Sequence, residues 1–121
     1  MALLLVVDDD PTALEFMRTA LSDAGHEVLV ASSAHEAMRV ALGARIALVV
    51  VDMVLPGFDG GDTARALRSV AGYTQLPVIA VSGHPDAAEL IHPPSIGARR
   101  LLTKPFSGEE LLQAVEESLD G

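Results

Sequence analysis

The chain has no cysteine and no tryptophan. The first absence excludes a disulfide framework and any thiolate metal site. Aromatic residues make up only 3% of the sequence, so its core must be built from Val, Leu, Ile and Ala. Positive charge is scarce as well. Lys and Arg total 8 against 17 Asp and Glu, a net charge of -9, and Lys104 is the single lysine. Phosphate backbones are anionic, so direct binding to nucleic acid is not expected. No apolar run approaches the ~20 residues of a membrane span. No basic segment precedes the first apolar run, so neither a signal peptide nor a membrane anchor is expected, and a cytoplasmic location is.

What is present is a regular alternation. With 121 residues, half of them hydrophobic, the chain suits one domain spanning 1–121 that buries its own core. Apolar runs at 2–7, 27–31, 46–51, 77–81 and 100–103 read as strands. Amphipathic stretches separate them. Leu14, Met17, Leu21 and Ala24 share one face over 11–24, the spacing of a helix. Asp10 is its expected N-cap, Pro11 its first residue and Gly25 its stop. Ser33 to Glu36 and Ser107 to Glu110 have capping-box spacing, opening a second helix to Gly43 and a final one with Leu111, Leu112, Val115 and Leu119 inward. A third helix is expected through about Val70. Between 84 and 98 the prolines Pro93 and Pro94 limit any helix to about 86–91. The order is βα five times over, which implies a parallel sheet with helices on both faces.

In such a sheet ligands collect at the carboxyl ends of the strands. Those ends carry Asp8 and Asp9, Ser32 and Ser33, Asp52, Ser82 and Lys104. Asp8, Asp9 and Asp10 follow directly on an apolar strand, where like charges oppose one another's ionisation. Oxygen ligands of this kind suit a hard cation such as Mg²⁺, which would cancel that repulsion, with the lysine offsetting more of it. Each residue alone has a plainer explanation. Asp10 caps a helix, Ser82 precedes a turn glycine, and Lys104 could be a solvated charge. Their coincidence at one sheet edge favours a site.

The motifs "VVDDDP", "VVVDMVLPGFDG", "IAVSG" and "LLTKPF", in this order and at these intervals, resemble a response regulator receiver domain, the phosphoacceptor module of two-component signalling. The resemblance implies a flavodoxin-like sheet of order 2-1-3-4-5. It also implies that Asp52 takes a phosphoryl group from a phosphohistidine on a histidine kinase or phosphotransfer protein. Asp9, Asp52 and the Val54 carbonyl would bind Mg²⁺ directly, and Asp8 through a bound water. Lys104 would pair with the phosphoryl oxygens and Ser82 would bond one of them, switching the binding of a downstream output domain or protein. The chain would then catalyse only its own phosphorylation and dephosphorylation.

Three features depart from the family pattern. Leu101 stands where the family often has a switching aromatic ring, and is expected to fill the same apolar pocket. The fourth helix is shortened. His84 lies two residues after Ser82, where it could align water or face solvent, and the solvent-facing arrangement is expected. His26, His35 and His92 are expected on the surface. Two other functions compete. "DDDPT" is similar to the nucleophile motif of haloacid-dehalogenase-type phosphatases, with Asp8 as nucleophile, but the acidic pair after Lys104 would be Glu109 and Glu110, inside a capping box. A receiver-like binding module free of phosphorylation control is the other, and labelling of Asp52 separates the two.

Overall fold

The computed structural model describes residues 2–53, 60–83 and 98–120, with the side chains of 60 and 61 excepted. Five strands, β1 (Leu3–Val7), β2 (Glu27–Ala31), β3 (Leu48–Asp52), β4 (Val78–Ser82) and β5 (Ala98–Thr103), form one parallel sheet of order β2-β1-β3-β4-β5. Helices α1 (Pro11–Asp23), α2 (Ala34–Leu42), α3 (Gly60–Arg68) and the C-terminal helix (Gly108–Asp120) cover its faces. This is the parallel sheet with helices on both faces that the alternating pattern implied, in the flavodoxin-like order that the family resemblance implied. The short helix expected over 86–91 and the connection after it lie outside the described residues.

Alternation along the strands makes two cores, because successive side chains point to opposite faces. Leu5, Val7, Val49, Val51, Val78 and Ala80 pack against α2 and α3, through residues such as Ala37, Ala41 and Leu67. Leu4, Val6, Leu48, Val50, Ile79 and Val81 pack against α1 and the C-terminal helix, through Met17, Leu21, Leu111 and Val115. Both faces of the central strands are therefore dry, and their ends are held in place by aliphatic packing on each side.

The helix ends follow the local sequence. The Asp10 carboxylate accepts from the Thr12 N–H at 3.0 Å, with Pro11 next to it at the helix start. Gly25 takes φ 97 after α1, a left-handed conformation that costs glycine little. Glu110 N–H donates to Ser107 Oγ at 3.0 Å and Ser107 N–H to Glu110 Oε1 at 3.1 Å, a reciprocal capping box. Strand limits differ from the apolar runs. Asp52 and Ser82 belong to β3 and β4, whereas Ile46 is buried outside any strand. Burial follows the side chain but pairing follows the backbone, so a polar residue can close a ladder. β5 likewise begins two residues earlier than the apolar run, at Ala98.

His26 corrects an expectation, since it is buried rather than on the surface. It sits in the turn between α1 and β2, beneath the C-terminal helix. Its Nδ1 accepts from the Ala2 N–H at 3.2 Å, so Nε2 carries the proton and donates to Glu116 Oε1 at 3.1 Å. Such partners satisfy a histidine in a closed turn without any metal. His35 is exposed, as expected.

Tyr73 ties two loops together. Its hydroxyl accepts from the Ile46 N–H at 3.1 Å and lies 2.7 Å from the Ala41 carbonyl and 2.6 Å from the Ala44 carbonyl. Removing that oxygen leaves a buried N–H and one buried carbonyl without their partner. Tyr73→Phe is expected to lower stability by about 2 kcal/mol, as read from the urea midpoint at unchanged slope.

Candidate functional site

All five strands run the same way, so their carboxyl ends share one edge. Asp8 follows β1 and is fully buried; its N–H donates to the Ala31 carbonyl at 3.1 Å. Its Oδ1 accepts from the Asp10 N–H at 2.9 Å. This turn, followed by the Asp10 cap, fixes where α1 begins and leaves Asp9 exposed at the edge. Asp52 closes β3 and Ser82 closes β4, and both are buried. Lys104 follows β5, and its backbone N–H donates to the Ser82 carbonyl at 2.8 Å. The lysine is thereby fastened to the strand that ends in the hydroxyl.

The Lys104 amine reaches across the edge. Its Nζ lies 3.1 Å from Asp8 Oδ2 and 3.1 Å from Asp52 Oδ2. Partial burial is the largest single influence on this amine and lowers its pKa, but the hydrogen bonds and charges of Asp8 and Asp52 together outweigh it and hold the pKa above its ordinary value. The repulsion expected at the acidic run is thus resolved unequally. Asp8 has a cation and a backbone donor. Asp9 has neither in the described contacts and stands towards solvent.

One carboxylate oxygen from each of Asp8, Asp9 and Asp52 lies within 4.8 Å of the other two. Such a set of hard oxygen donors fits a divalent cation that keeps several waters, Mg²⁺ above all. Lys104 approaches from the Asp8–Asp52 side, so the Asp9 side remains for an ion. The chemistry of the edge is that of an anion receiver: a lysine amine, a serine hydroxyl at the neighbouring strand end, and carboxylates suited to a metal.

The other expected residues fall in different places. Ser33 caps α2 by accepting from the Glu36 N–H at 3.1 Å, and the Ser32 N–H donates to Glu36 Oε1 at 3.1 Å, so both serve the helix start. Leu101 is half-buried against the core on the α2 and α3 side. Val54, His84 and His92 lie outside the described residues. Glu110 is engaged in its capping box, which removes the acidic pair that a haloacid-dehalogenase-type site would need. Sequence reasoning brought Lys104 to the edge but missed that it bridges two carboxylates at once. Only the 96-residue separation of Lys104 from Asp8 closing in space reveals that.

The response regulator receiver domain profile matches residues 4–116. PilH of Pseudomonas aeruginosa is 33% identical over 121 residues, covering 100% of both chains. KdpE of Mycobacterium tuberculosis is 35% identical over 112 residues, which is 93% of this chain and 48% of that regulator. Among solved structures, chemotaxis protein CheY4 of Vibrio cholerae superposes with a TM-score of 0.91 at 29% identity, over 98% of each chain. A receiver domain protein of Clostridium thermocellum gives 0.88 at 31% identity, over 99% of this chain and 95% of that one. No helix among the described residues is long and apolar enough to cross a membrane. The order of the strands, the acidic edge with its lysine and these relatives converge, and the chain belongs to the response regulator receiver domain family, the phosphoacceptor modules of two-component signalling.

Proposed function

We propose that residues 1–121 act as one receiver unit in which Asp52 is the phosphoacceptor. The observation that carries this reading is the Lys104 amine, 3.1 Å from both Asp8 and Asp52, beside a carboxylate trio within 4.8 Å. An Asp52 carboxylate oxygen attacks the phosphorus of a phosphohistidine on a kinase or phosphotransfer protein. The P–N bond breaks, the histidine leaves, and an acyl phosphate forms on Asp52. Little covalent work falls to the protein in such a transfer; position and charge neutralisation do most of it.

Lys104 holds the incoming phosphoryl oxygens and offsets their charge. The Ser82 hydroxyl, one strand away from Asp52 in the ladder, bonds a phosphoryl oxygen after transfer. Asp9 and Asp52 would hold Mg²⁺ directly, with the Val54 carbonyl as the family resemblance implies, and Asp8, whose two oxygens already accept bonds from Lys104 and Asp10, would act through a bound water. When present, the ion neutralises charge shared between the acceptor and the phosphoryl group. The protein turns over no other substrate. Leu101, packed against the core, leaves no aromatic ring to follow Ser82, so an aromatic rotamer switch does not operate here. The partners are a phosphohistidine donor and an output domain or protein, in the cytoplasm. The strong negative charge argues against direct contact with nucleic acid.

Acetyl phosphate with Mg²⁺ is expected to add one phosphoryl group, lost on treatment with hydroxylamine. Intact-mass measurement should show no label in Asp52→Asn; undiminished labelling of that variant would refute the assignment. Loss of a positioned donor commonly costs ~100-fold or more in rate, so Lys104→Ala should label at least that much more slowly while its circular dichroism stays native-like; its urea midpoint should fall, because Asp8 and Asp52 lose their shared cation.

The metal set separates Asp8 from Asp9. Unit charges a few ångströms apart in water repel by about 1 kcal/mol, so Asp9→Asn should stabilise the metal-free protein by up to that amount. Asp8→Ala should instead destabilise it by about 2 kcal/mol, because the Asp10 N–H and one Lys104 bond lose their acceptor. Mg²⁺ at ~100 times its dissociation constant should stabilise the wild type by about 2.7 kcal/mol and Asp9→Asn far less. Urea titrations with and without Mg²⁺ read all of these; equal Mg²⁺ effects on both proteins would remove Asp9 from the ligand set.

A further inference from the structure

The end of the C-terminal helix carries charges of the wrong sign. Glu116, Glu117 and Asp120 lie in its final stretch, and no basic residue is in its last turn. A helix C-terminus already bears partial negative charge, so these residues should fray it. The compensating cations come from β5. Arg99 Nη1 donates to the Ser118 carbonyl at 2.7 Å. The Arg100 guanidinium pairs with the Glu117 carboxylate.

Neighbouring residues in a regular strand point to opposite faces, so Arg99 and Arg100 should not both grip one helix. β5 is irregular at this point. Val78 pairs with Ala98 and Ile79 with Arg100, leaving Arg99 as the extra residue of a bulge. Bulges commonly re-aim side chains, and here both guanidinium groups reach successive residues of the same turn.

We propose that the bulged Arg99–Arg100 pair is a latch through which β5 sets the order of the last turn of the C-terminal helix, residues 117–120. The same strand runs from this latch to Thr103 and on to Lys104, whose amine bridges Asp8 and Asp52. Among the described residues β5 is an edge strand, paired with β4 alone. A change in the pairing of Lys104 at Asp52 therefore acts on the same strand that holds the helix end. This coupling, though not the latch itself, rests on the reading of Asp52 as acceptor.

Amide exchange followed by mass spectrometry tests both parts. In the unlabelled protein, Arg99→Gln/Arg100→Gln is expected to exchange roughly fivefold faster than wild type over 117–120, with β1 and α1 unchanged. Glu117→Gln, a surface change that leaves the core intact, should give a smaller acceleration confined to the same turn. Wild-type exchange at 117–120 in both variants would overturn the latch. After treatment with acetyl phosphate and Mg²⁺, with incorporation checked by intact mass, exchange of the last turn should change at least twofold in wild type and not in the double variant. Incorporation with equal changes in the two proteins would overturn the coupling. Absence of incorporation in wild type would instead count against Asp52 as acceptor, while the unlabelled comparison still decides the latch.

Discussion

One amine holds the edge of this sheet together. Lys104 is the only lysine of the chain, and it lies between a fully buried Asp8 and a nearly buried Asp52. A buried carboxylate without a partner costs several kcal/mol. Two side by side would cost more. The Lys104 amine stands between the two carboxylates, 3.1 Å from each. The residue's own backbone is anchored to the Ser82 carbonyl, so the Lys104 amine, the Ser82 hydroxyl and the Asp52 carboxylate are fixed relative to one another by the sheet ladder.

The rest of the fold maintains that arrangement. Aliphatic side chains pack on both faces of β1, β3 and β4, and close-packed interiors transmit little slack to their ends. The turn after β1 is set by local hydrogen bonds from the Asp8 and Asp10 carboxylates. It keeps Asp8 inward and Asp9 outward, which divides the acidic run into a residue that orders the lysine and a residue available to an ion. The helices α1, α2 and the C-terminal helix begin at side-chain caps, Asp10, Ser33 and Ser107.

β5 differs from the three central strands. It is paired on one side, it carries a bulge, and its Arg99 and Arg100 are largely exposed. Beside the apolar packing of Leu101 and Leu102, its contribution is electrostatic. One end supplies the cation of the site through Lys104, and the other supplies the cations that the C-terminal helix lacks. A strand that serves charges at both ends is suited to link a change in charge at the site to the order of a distant helix turn.

The sequence by itself determined the strand and helix order, the N-caps at Asp10, Ser33 and Ser107, and the meeting of Asp8, Asp9, Asp52, Ser82 and Lys104 at one edge. These follow from periodicity and from the rule that parallel strands end together, which need only local spacing. Strand limits were less legible, because Asp52 and Ser82 pair through backbone atoms that apolar runs do not report. Only the tertiary structure decided that Lys104 bridges two carboxylates, that His26 is buried between the Ala2 amide and Glu116, and that Arg99 and Arg100 both reach one helix end. Each of these depends on contacts between segments far apart in the chain. Side-chain reach and the placement of a bulge set such contacts, and neither leaves a periodic mark in the sequence.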